Sequence, residues 1–88
     1  METNEKFREQ IFEIVQNQIQ LNKPPETAQT LKRLMDSGYS DREARTLIGQ
    51  CLAVELFLIF KSDEPYNNER YISNLKNLPK EPSEHLVS

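Results

Sequence analysis

SDREARTLIGQCLAVELFLIFK, residues 40–61, opens with charged side chains and is apolar almost all round after Gln50. Its first four residues form a capping box, in which the Ser40 hydroxyl and the Glu43 carboxylate each satisfy a free backbone N–H at a helix start. Tyr39 before the cap is placed to pack on Ala44 as a hydrophobic staple. The spacing predicts one helix from Asp41 to about Lys61, the spine of the fold. A short strand at Leu56–Phe60 is the competing local reading, but no second segment offers to pair with it. With Ala44 at the origin of a helical wheel, Leu47, Ile48, Cys51, Leu58 and Ile59 fall within about 60°, and Glu55 falls near the centre of the same face. An acid therefore stands where an aliphatic side chain is expected.

The neighbouring segments read as three more helices. Gly38 supplies the left-handed residue that closes the helix before Ser40. That second helix opens at Pro24-Pro25, where proline suits the first turn and Glu26 complements the positive end of the helix dipole. Ala28, Leu31, Leu34 and Met35 form its apolar stripe. The first helix carries Phe7, Ile11, Ile14, Val15 and Leu21 at helical spacing, with Glu5, Glu9 and Glu13 in a column on the opposite side. Such a column is either a docking stripe for a basic partner or a solvated face. Asn67 or Asn68 caps the fourth helix, Tyr66 and Tyr71 form a second staple, and Tyr71, Ile72, Leu75 and Leu78 close it over the core. The expected fold is all-α: one compact domain, residues 1–78, of four helices at about 4–21, 25–37, 41–61 and 68–78 around the long third. Residues 79–88, with two prolines and no periodicity, are expected to be a disordered tail.

Composition narrows the function. The chain has 88 residues, 11 Lys+Arg against 14 Asp+Glu, a net charge of −3, one cysteine and one histidine. A small single core follows, with no internal disulfide. His85 alone removes the usual metal ligand set and the usual base of a nucleophilic site, so neither metal nor cofactor is expected. The acidic balance argues against nucleic acid as partner. The apolar run from Cys51 to Phe60 is interrupted by Glu55 and is too short to span a bilayer, which needs about 20 residues. The first residues carry acids where an export signal would be basic, and together with the free thiol this points to the cytoplasm.

Three features depart from a plain core. Glu55 and, on the first helix, Gln18 are polar groups at apolar positions, and each should be hydrogen-bonded, the simplest arrangement being to one another. The functional reading makes Glu55, Gln18 and Asn17 a ligand or catalytic pocket, since burial raises a carboxylate's pKa. The structural reading makes them a polar pair that fixes helix register. Cys51, one turn before Glu55, is shielded by the same core and disfavoured as a thiolate. On the far side of the third helix Gly49, Leu52, Ala53, Leu56 and Phe60, with Phe57 nearby, form a second apolar strip. Either other helices cover it or it is an association surface, for which a two-fold homodimer is one solution. A helix-turn-helix DNA reader is disfavoured, because Asp41 and Glu43 neutralise Arg42 and Arg45 and the later half of the helix is too apolar for a groove.

Leu34 to Ala44, with Met35, Gly38 and Tyr39, resembles the helix-loop-helix of ubiquitin-associated domains; the resemblance implies loop contacts at those three residues. The match departs from that family in Asp36-Ser37 before the glycine and in the length of the following helix. A Gly-closed helix followed by a capped one is also a general helical hairpin device. Asn17-Gln18, the Asn22-x-Pro24-Pro25-Glu26-Thr27 connection, Gly38-Tyr39-Ser40, Glu43-Ala44 and Leu52-Ala53-x-Glu55 together resemble a family of small all-helical bacterial proteins of unknown function. This implies a helical fold and a bacterial cytosolic setting, without an activity. The expected function is a non-enzymatic protein-interaction or regulatory module, with self-association through the third helix as one form of it. A small ligand-binding protein or enzyme using the Glu55, Gln18 and Asn17 pocket is the alternative.

Overall fold

The computed structural model describes residues 2–84, with side chains from residue 5 onward. The chain forms α1 (Glu2–Leu21), α2 (Pro25–Asp36), α3 (Asp41–Ser62) and α4 (Asn68–Asn77), and no strand occurs among the described residues. Leu56–Phe60 is helical throughout.

Local signals account for the boundaries. Ser40 Oγ accepts from the Glu43 N–H at 3.0 Å and Glu43 Oε1 accepts from the Ser40 N–H at 2.8 Å, so the capping box is complete. These bonds hold the Glu43 carboxyl below its ordinary pKa. At the end of α2, Gly38 has a φ of 106°, and the N–H groups of Gly38 and Tyr39 donate to Met35 O and Leu34 O. That is the bond pattern of a Schellman motif; Ser37 becomes the cap, and α2 stops one residue before the expected end. Asn67 is the cap of α4, accepting from the Arg70 N–H at 3.1 Å. The Tyr66 and Tyr71 rings meet across that cap at 6.1 Å.

α3 packs against all three other helices, and α2 also touches each of them, whereas the backbones of α1 and α4 stay apart and the two helices meet through side chains. The core consists of Ile11, Val15, Leu34, Ala44, Ile48, Cys51, Leu52, Tyr71, Leu75 and Leu78. Several expected core positions lie at its edge instead: Phe7, Ile14, Leu21 and Met35 are exposed. They stand at the margins of apolar stripes that are wider than the faces the neighbouring helices bury. Thr27 and Thr30 are buried in place of the more apolar residues around them.

Residues 79–84 return along α4. Asn74 grips Ser83 through two bonds of 2.9 Å, accepting from its N–H and donating to its carbonyl, and Arg70 Nη1 donates to Glu84 O at 3.3 Å. The ordered chain thus continues past Leu78. The remainder of the expected disordered tail, residues 85–88 including His85, lies outside the described residues.

Candidate functional site

Glu55 is fully buried at the centre of the domain, as its wheel position requires. Its partners come from the start of α4. Oε2 accepts from Arg70 Nε at 2.6 Å, while Oε1 accepts from Arg70 Nη2 at 3.0 Å and from the Asn67 N–H at 2.9 Å. Arg70 is itself buried and lies 3.8 Å from Glu64 at the surface. The hydrogen bond to Glu55 holds the guanidinium above its ordinary pKa range, against the opposing effect of burial. The two-pronged geometry is the strong form of an arginine–carboxylate pair. Both carboxylate oxygens are hydrogen-bonded, and the side chain has no exposed surface.

Gln18 is not the partner of Glu55, contrary to the simplest expectation. Its Oε1 instead accepts from Tyr71 OH at 2.7 Å and Thr27 Oγ1 at 2.8 Å, joining α1, α2 and α4 in one knot. Two separate polar centres replace the single expected pair, each with its own partners from α4 or the residue that caps it. Asn17 is exposed and belongs to neither. Among the described residues, no buried side-chain nitrogen or oxygen lacks a partner. The residues that sequence reasoning missed are Arg70 and Asn74. With Asn67 they stand at spacing i, i+3, i+7 on α4, a polar stripe beside the apolar one that could have revealed them.

Burial pushes the Cys51 thiol up to about 12 and the Tyr71 hydroxyl above the ordinary tyrosine range. Both groups are held neutral, and a thiol in this state is no nucleophile. Because each folded pKa lies above its unfolded value, the stabilisation is complete below the unfolded values and is lost as pH rises past them. Stability is expected to be level from neutrality to the ordinary thiol value of 9.0 and to fall above it. The slope approaches about 1.4 kcal/mol per pH unit for each group that titrates. Urea midpoints measured across the alkaline range for the wild-type chain and Cys51→Ala check this, the variant showing the shallower slope; equal slopes would remove the assignment to Cys51.

The second apolar strip of α3 is divided. Gly49 and Leu52 are buried, Gly49 against α1, where a Cβ on it would stand 3.0 Å from Ile11 Cγ2. A Cβ there would fit only if the Ile11 side chain gave way by a few tenths of an ångström. Ala53 and Leu56 are half-buried, and only Phe57 and Phe60 are open, at 45% and 78% exposed. The Lys61 ammonium lies 5.1 Å from the Phe57 ring centre. At the α2–α3 corner Met35 and Gly38 are exposed and Tyr39 is half-buried.

Among the described residues no three His, Cys, Asp or Glu side chains converge on a metal-sized site. No helix there is long and apolar enough to cross a membrane. No protein-family model, curated protein or solved structure matches the chain.

Proposed function

We propose that this protein is a non-enzymatic interaction module of the bacterial cytoplasm that engages another protein through the end of α3. The observation that carries the reading is the exposure of Phe57 and Phe60, one helical turn apart, on a helix whose other apolar residues are buried or half-buried. Exposed aromatic pairs are the side chains that dominate binding energy when a partner buries them. The sealing of Glu55 counts against the alternative, a pocket chemistry, since a proton-transfer group must reach its substrate. The buried thiol of Cys51 suits a reducing compartment.

The test compares immobilised wild-type protein with Phe57→Ser/Phe60→Ser, after circular dichroism has shown equal helix content. A protein retained from lysate by the first and lost by the second is the expected result. Equal retention by both, or none by either, would reject the proposal.

A further inference from the structure

The chain has five arginines, and two of them are used inside the fold: Arg70 on Glu55, and Arg33 on the carbonyls of Leu75 and Leu78, each at 3.0 Å. The other three, Arg8, Arg42 and Arg45, all line one groove of about 620 Å³ between α1 and the first half of α3. Its apolar surface includes Ile11, Phe12 and Ala53, and no carboxylate lines it. Arg45 is paired with Asp41 at 2.7 Å, while Arg8 and Arg42 are in no ion pair among the described residues. With Arg45 offset by Asp41, the groove presents the two unpaired guanidinium groups of Arg8 and Arg42 beside an apolar floor. Arginine suits such a place because its planar fork grips carboxylates in pairs.

The complementary surface is on the same molecule. Glu5, Glu9 and Glu13 are exposed on α1 and are likewise in no ion pair among the described residues. At 100° per residue Phe12 stands between Arg8 and this column, at about 40° from Arg8 and about 20° from Glu5. The groove and the acidic column adjoin along Phe12, and in the structure neither has taken the other as an ion-pair partner within the copy. We infer that the occupant of the α1–α3 groove is α1 of a second copy, in a two-fold dimer that sets each acidic column on the other copy's arginines. A two-fold axis makes every such contact twice. From Arg42 to Ala53 the α3 wall is about 16 Å long, enough for three turns of a facing helix. Phe57 and Phe60 lie outside the groove, so this inference and the proposed partner surface can fail separately.

The experiment is a charge exchange read by sedimentation equilibrium. Wild-type chain is expected to dimerise at up to hundreds of micromolar in about 50 mM salt and to dissociate in about 500 mM, where exposed charges are screened. Arg8→Glu/Arg42→Glu makes groove and column both acidic, and Glu5→Arg/Glu9→Arg makes both basic. All four positions are exposed, and circular dichroism verifies that each variant keeps its helices. Each variant alone should be monomeric, while an equimolar mixture should form a heterodimer, because every groove then faces a column of opposite charge. A wild-type monomer at low salt, a mixture that stays monomeric, or a dimer that survives in both variants alone overturns the inference. A monomeric wild type that binds a synthetic acidic amphipathic helix would transfer the groove to a different partner and also overturn it. The salt series on the unmodified chain decides the matter if a variant fails to fold.

Discussion

Replacing Arg70 with methionine is expected to destabilise the fold by about 3–5 kcal/mol, the usual result of leaving a buried charge without its partner. Glu55 would keep only the Asn67 N–H as donor, for a side chain with no exposed surface. A chain of this length is stabilised by about 4–13 kcal/mol in all, so the variant should stand near the threshold of unfolding. The double variant Glu55→Leu/Arg70→Met removes both charges and should recover most or all of that loss, since a well-packed apolar pair commonly equals or exceeds a buried ion pair. Urea unfolding followed by circular dichroism measures both. A single variant within about 1 kcal/mol of wild type would mean that the ion pair is relieved by solvent. A double variant no better than the single would mean that the pair contributes packing as well as charge.

Gln18→Leu is the second large effect. One oxygen, Oε1, accepts from both Tyr71 OH and Thr27 Oγ1, and those two residues are fully buried. Leucine removes the acceptor that both hydroxyls share; Tyr71 and Thr27 lie close enough to bond one another, so one donor is left without an acceptor, at a cost of about 1–3 kcal/mol. Adding Tyr71→Phe and Thr27→Val to the same chain removes both hydroxyls and should return a large part of the stability. That non-additivity, read from the three sets of urea midpoints, is the signature of a shared acceptor. Strict additivity would show that the bonds are replaced by water in the variant.

These two centres also show where reading the sequence succeeds. Glu55 and Gln18 were visible because each breaks an apolar period on its own helix, a property of neighbours three and four residues apart. The helix start at Ser40, the start at one of Asn67 and Asn68, and the stop at Gly38 were visible for the same reason, because a cap is made within one turn. The identity of the partners was not visible. Arg70 lies fifteen residues beyond Glu55, and its approach depends on how the connection after α3 turns, through the left-handed Asp63 at φ 54°. Nothing in the spacing of Gln18 favours Tyr71, 53 positions on, over Glu55. The coverage of α3 was equally a matter of packing: Gly49 could have signalled weakness or close approach, and Ile11 decides for the latter. Asn74 shows the limit from the other side, since a polar residue beside an apolar stripe reads as solvent-facing until the returning chain at Ser83 is seen on it.

The anchoring of α4 has a bearing on the order of assembly. At ten residues it is shorter than the roughly 12–15 that an isolated helix needs to persist in water. Its polar anchors are Gln18, Arg33 and Glu55, one from each of the preceding helices. α4 is therefore expected to form only against the other three helices, whose buried Glu55 in turn needs Arg70. The same dependence runs backward: in amide hydrogen exchange α4 should open as a unit at lower free energy than α3, making it the hinge through which the domain first comes apart.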